Sequence, residues 1–299
     1  MKQKIKPFVL PIAIVVGFLT HQWCDMMSFL MPYVIFSILM FCFCSVDIRS
    51  MKPGWMDLCL ATFQIAGSLG GYYLTKAICG NEIVAEGILI CILCPVASST
   101  AVVACMIGAN REIVTTYTMI GNLMVAFVAP IIFSFIGVQQ TMPFIDSFLI
   151  ILKRVATVLA VPFFICWIMQ IKIPKACKKI AKYNEVSFYL WAIALLITLG
   201  QTIHYIIIKG DGHWDDIGIL AIMAFVICVV HFGFGKWLGS KFGDTMAGGQ
   251  LLGQKNSSMG IWMSNMYLNP LASCILAFYS IMANSFNSWQ IWYYNRDKK

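Results

Sequence analysis

From Pro7 to Trp292 the chain repeats one unit, a run of about 20 mostly apolar residues closed by a short polar break, and this pattern limits the fold more than any other feature. A helix needs roughly that many residues to cross the hydrocarbon of a bilayer. The breaks are too short to hold a water-soluble domain. With 60% hydrophobic and 11% charged residues, the chain carries more apolar surface than a soluble globule could bury, so its solvent is lipid. Runs such as Ile217 to Phe232 and Tyr189 to Leu199 are apolar on every face, which suits helices among helices and lipid. They lack the strict alternation of a transmembrane barrel. The expected class is an all-α membrane protein.

Charge clusters and Pro, Gly and Asn signals predict ten segments, near 8–22, 27–46, 55–78, 84–109, 113–136, 144–171, 186–208, 215–238, 243–265 and 268–291. Lys2, Lys4 and Lys6 precede the first, but no small-residue cleavage pattern follows, so that segment is expected to be a retained span. With the amino terminus in the cytoplasm, 16 of the 21 basic residues fall on the inner side, and the outer loops receive only Lys76 and Lys209. This asymmetry predicts that both termini are cytoplasmic. It also explains the net charge of +8 as topology, with no nucleic-acid partner. The lysines from Lys172 to Lys182 then form an ordinary loop against anionic headgroups. The 12 cysteines are scattered singly, without the spacing of a metal site or a disulfide framework, and read as small apolar packing residues. Short loops, free cysteines and the lack of a cleavable signal point to a bacterial cytoplasmic membrane.

Ten spans divide into five and five, which gives repeats over 1–140 and 141–299. An odd number per half forces the halves to enter the membrane from opposite sides, the arithmetic of an inverted repeat. The fourth segment of each half carries a polar, helix-breaking stretch: Cys94-Pro95-Val96-Ala97-Ser98-Ser99-Thr100 in the first, and residues 248–258, from Gly248 to Ser258, in the second. Pro95 removes a backbone donor, and Gly248, Gly249 and Gly253 are read as lowering the cost of unwinding, so freed backbone groups can face a cavity. The plainer alternative is a pair of kinks satisfied by nearby Ser and Thr side chains.

These residues carry a resemblance to the bile acid:sodium symporter family. It extends along nearly the whole chain and is strongest in three places: from Asn81-Glu82 through Cys94-Pro95 to Gly108-Ala109-Asn110, at Ala129-Pro130, and from Gln250 to Asn256. The resemblance implies ten helices in a panel and a core domain, crossed broken helices 4 and 9, and alternating access. It further implies secondary transport of a bile acid, a steroid conjugate or a small carboxylate, usually with sodium. Carried over residue by residue, the family's cation site falls on Thr100, Thr118, Asn122, Gln250, Gln254 and, with a gap, Gln64. The residues at the two breaks expected to face a substrate are Ser98, Ser99, Lys255, Asn256 and Ser257. Two departures stand out: Ala101 replaces an amide, and Gln250 replaces a glutamate.

A sodium ion in a low-dielectric core is helped by a formal negative charge, and none of the 13 acidic residues lies in the middle of an expected span. Lys255 lies about half a span from either flanking loop, a depth that costs roughly 2.5–3.5 kcal/mol on insertion scales. Three readings of it are open. Its ammonium replaces a sodium ion among Gln250, Thr100, Thr118, Asn122 and unwound carbonyls, which uncouples transport from sodium or couples it to protons; it binds an anionic substrate; or it snorkels along a wet cleft. His231 reads as a hydrogen-bonded core histidine. No paired aspartates, metal-binding helix or nucleophile with a positioned base is present, so no enzyme and no cofactor other than sodium is expected. A ligand sensor without transport is the remaining alternative.

Overall fold

The computed structural model describes residues 9–45, 51–97, 100–137, 143–183 and 185–296. Within these the chain is helical, with strand pairing confined to one isolated bridge. Helices α1 (Val9–Leu19), α2 (His21–Met26) and α3 (Met31–Cys44) come first, α2 and α3 being joined by a 3-10 turn over Met27–Leu30. Next come α4 (Trp55–Cys79), α5 (Glu82–Leu93), α6 (Thr100–Met106) and α7 (Arg111–Ile136). The second half holds α8 (Phe144–Lys172), the short α9 (Pro174–Lys182), α10 (Glu185–Lys209), α11 (Trp214–Lys241), α12 (Thr245–Gly253) and α13 (Ser257–Tyr267). A 3-10 turn over Pro270–Ser273 leads into α14 (Cys274–Arg296).

Among the described residues three helices are long and apolar enough to cross a membrane: His21–Cys44, Arg111–Ile136 and Trp214–Lys241. Phe144–Val158 and Ala160–Lys172, bent by 43°, make a fourth if counted as one span. Pro162 explains that bend, since it has no N–H to give to the preceding turn. The expected first segment appears as α1, only 11 residues long, and the boundary with the second falls at Thr20. α5 and α6, with 12 and 7 residues, and α12 and α13, with 9 and 11, are each too short to cross alone. The helices turn apolar side chains outward: on α11, Ile222, Phe225 and Val229 are exposed, while Leu220, Ala224 and His231 are buried. That pattern suits lipid rather than water.

Two groups of helices form by contact. α1, α2, α3, α8 and α10 pack with one another, as do α4, α5, α6, α7, α11, α12, α13 and α14, and the groups meet where α7 lies along α8 and α10 touches α13. Caps stitch the loops together. Asp244 caps α12 by accepting from Ala247 N at 2.8 Å, and its other oxygen accepts from Asn110 N at 2.7 Å, ahead of α7. Asn81, which caps α5, also donates to Asp216 at the start of α11. In each pair the joined loops are ones that the charge pattern assigns to the same side.

Candidate functional site

The two breaks meet. α5 ends at Leu93 because Pro95 cannot donate to the helix and forces Cys94 into an extended conformation, with ψ at 133°. On the other side α12 runs unbroken to Gly253, and the chain then extends through Gln254 and Lys255 before Asn256 caps α13, accepting from Met259 N at 3.2 Å. Val96 and Lys255 form an antiparallel bridge. Ala97 N donates to Gln254 O at 3.1 Å, and Asn256 N donates to Pro95 O at 2.8 Å.

This geometry corrects the reading of the glycines. Gly248, Gly249 and Gly253 lie inside α12 and mark close packing on α11, not unwinding. A Cβ at Gly248 would lie 2.3 Å from Gly235 O and 2.7 Å from Gly239 Cα, and one at Gly253 would lie 2.5 Å from the Phe232 ring. Gly235 and Gly239 form a small-xxx-small pair, the spacing that lets two membrane helices approach backbone to backbone.

Lys255 is buried, 6% exposed, and its Nζ donates to Ile92 O at 2.9 Å, in the last turn of α5. The partial negative charge at a helix C-terminus and its unpaired carbonyls account for the ammonium's position. Of the ligands expected for it, a backbone carbonyl beside the first break is the one found, and none of the expected side chains bonds it. Gln250 is engaged at both ends, accepting from Gln254 Nε2 and donating to Asn287 Oδ1 at 3.1 Å, and Thr118 Oγ1 donates to Val114 O at 2.7 Å.

Gln64 holds the first break from behind. Fully buried on α4, it donates from Nε2 to Leu93 O at 2.7 Å and Cys94 O at 2.8 Å, and its Oε1 accepts from the Tyr117 hydroxyl at 3.1 Å. Asn122 on α7 donates to Thr118 O and, at 3.5 Å, to Val96 O. Thr100 Oγ1 and Asn122 Oδ1 are buried and find no hydrogen-bond partner among the described residues. The six residues assigned to a cation are thus not joined in one hydrogen-bonded set: Gln64 and Asn122 bond carbonyls of the first break, Thr118 bonds its own helix, and Gln250 and Gln254 bond each other. None of the six brings a formal negative charge. Among the described residues no group of three or more His, Cys, Asp or Glu side chains could hold a metal.

A cavity of about 50 Å³ opens at the second break, lined by Ala97, Gln254, Lys255, Asn256 and Ser257, and closed from α14 by Ser280, Asn284 and Asn287. Of the residues expected to face a substrate, Lys255, Asn256 and Ser257 line this cavity. Ser98 and Ser99 lie outside the described residues. The sequence reading missed Ser280, Asn284 and Asn287, whose 4 and 3 spacing marks one face of a helix and was the available signal. His231 packs as expected, its Nδ1 3.0 Å from the Tyr279 hydroxyl, which donates to Gly253 O at 2.7 Å.

Because Gln64 satisfies two carbonyls and a hydroxyl in the core, Gln64→Leu is expected to cost about 2 kcal/mol, and Tyr117→Phe about 1 kcal/mol or less. Thermal unfolding in detergent checks both. Equal stability of Gln64→Leu and the parent would show that the break does not depend on this clamp.

No curated protein matches the chain. A family model does, over residues 11–280, and the family it describes is related to the bile acid:sodium symporters, which is the level at which the likeness in the motifs holds. With the apolar helices, that match makes the chain an integral membrane protein of a transporter family. The chain belongs to the SBF-like CPA transporter family.

Proposed function

We propose that the protein is a secondary active transporter that moves a small organic anion by alternating access, and that it does so without sodium because the Lys255 ammonium is its resident cation. The observation that carries this reading is the bond from Lys255 Nζ to Ile92 O. In transporters built on broken helices, the C-terminal end of a half-helix is where a coupling cation is drawn, and here a fixed ammonium already answers it. Gln250 has no charge and both ends of its amide are engaged, so the donor set does not fit a resident sodium ion. The oxygens of Thr100 and Asn122, unpartnered among the described residues, are the neutral remainder of such a site.

The frame of this proposal is a pair of inverted five-helix repeats over 1–140 and 141–299, with the α1, α2, α3, α8 and α10 group, on which α9 packs, as panel and α4 to α7 with α11 to α14 as core. Substrate access then comes from movement between the groups around the joined breaks. Cavities that hold drug-sized ligands run to about 300–1,000 Å³. The 50 Å³ space beside Lys255 supports a small carboxylate over a steroid conjugate in this conformation.

Uptake and counterflow in proteoliposomes, with small carboxylates and steroid conjugates offered in sodium or in choline, test the reading. The expected result is counterflow of a carboxylate at the same rate in both salts. Complete dependence on sodium would sink the resident-cation reading, and binding without counterflow would make the protein a sensor.

A further inference from the structure

A second, wider space among the described residues is lined by none of the residues of the two breaks. Between α3 and α9 a groove of about 470 Å³ runs over Phe36, Met40, Phe41 and Ile180, with Lys179 and Tyr183 at its mouth. It shares no residue with the cavity at Lys255.

α9 is built for an interface. Cys177 is buried and directs its thiol toward Cys44 O, Ile180 and Ala181 are half-buried, and Lys175, Lys178, Lys179 and Lys182 are exposed. From Lys172 to Lys182 the sequence holds five lysines and no acid. Lysines at this density cannot enter hydrocarbon, so α9 lies at headgroup level with its apolar side turned in. The groove then descends from a row of ammonium groups into the apolar layer along α3. A soluble anion would answer the lysines but leave the floor of Phe36, Met40 and Phe41 unpaired. A neutral lipid would cover the floor and leave the charge unanswered.

We propose that this groove binds one anionic phospholipid, with an acyl chain laid against Phe36, Met40 and Phe41 and its phosphate at Lys179. Charge complementarity selects the headgroup and the apolar floor selects the tail. The site is thus more than the general attraction of a basic loop to a negative surface, which needs no groove.

The test uses the full chain purified in a neutral detergent. Dioleoyl-phosphatidylglycerol and dioleoyl-phosphatidylcholine are offered in turn, and retained lipid is counted by native mass spectrometry beside the thermal midpoint. One phosphatidylglycerol is expected to be retained, with roughly fivefold or greater preference over phosphatidylcholine. Lys179→Gln is expected to lower that preference about fivefold, while Lys172→Gln, outside the groove, leaves it unchanged. Ser37 lines the groove but gives its hydroxyl to Tyr33 O at 2.8 Å on its own helix, so Ser37→Trp fills the space without breaking a bond between helices. It is expected to expel the lipid, and Val186→Trp, on the opposite wall, tests the same space if Ser37→Trp does not fold. Glycerol phosphate, which has the headgroup chemistry without tails, is expected not to displace the lipid. Equal retention of the two lipids would overturn the proposal. So would retention that responds to Lys172→Gln as strongly as to Lys179→Gln and ignores the groove-filling variants.

Discussion

Lys255→Met is expected to fold with nearly unchanged stability and to transport solute on the order of 10–100 times more slowly. The two effects separate because they have different sources. Burying an ammonium at this depth costs about 2.5–3.5 kcal/mol, which methionine removes. Against that, the Ile92 carbonyl loses its donor, at about 1–3 kcal/mol. The sum is close to zero. Function has no such compensation, because the charged hydrogen bond pins the end of α5 to the strand that leads into α13. A charge-assisted bond of about 1.5–3 kcal/mol, lost from the state that binds or moves solute, is worth roughly one to two powers of ten in rate. Uptake in proteoliposomes and a thermal midpoint in detergent, read on the same preparation, check the separation. Uptake at the parent rate would remove Lys255 from transport altogether. Binding measured with an anionic and a neutral solute divides the two roles of the ammonium: loss of anion affinity alone assigns it to the substrate, and unchanged affinity assigns it to the helix end.

The second large effect is expected at Gly248. Gly248→Val should destabilise the protein by about 4 kcal/mol, because the clash is with the backbone of Gly235 and Gly239, which cannot rotate out of the way. α12 has to lift off α11, and the second break is carried on α12. Gly249→Ala should cost far less, since the new methyl group would meet the flexible Lys236 side chain, 2.6 Å from its Cγ. The order of the two variants discriminates between explanations. If these glycines served to unwind a helix, replacing either by alanine would stabilise it by about 0.5–1 kcal/mol. Chemical or thermal unfolding of Gly248→Val, Gly248→Ala and Gly249→Ala gives the order directly, and a stabilised Gly248→Ala would overturn the packing account.

That contrast shows what was legible in the sequence. Pro95 announces its own break, because the missing N–H and the restriction on Cys94 are local properties. The second break was located to within a few residues by its polar run, yet for the wrong reason. A glycine in a membrane helix either frees the backbone or lets a neighbour approach, and only the neighbour decides which. Gln64 was carried over as a cation ligand from the family resemblance, and the structure uses the two ends of its amide to hold a broken helix and a tyrosine. Lys255 was legible as an anomaly of depth, but its acceptor was not, since Ile92 lies 163 residues away along the chain. The polar face of α14 went unread because its residues do not stand out along the sequence: Ser285, Ser288 and Gln290 are interspersed with them on the same helix.

The bridge between Val96 and Lys255 has a consequence for how such a centre can change over generations. Its two bonds, from Ala97 N to Gln254 O and from Asn256 N to Pro95 O, use only main-chain atoms. Any residue supplies the two carbonyls, and any residue other than proline supplies the two N–H groups. The joint is therefore indifferent to most substitutions at the positions that form it, whereas the side chains around the cavity are individually replaceable. A lineage can revise the lining of the cavity, one residue at a time, while the joint beneath it stays intact.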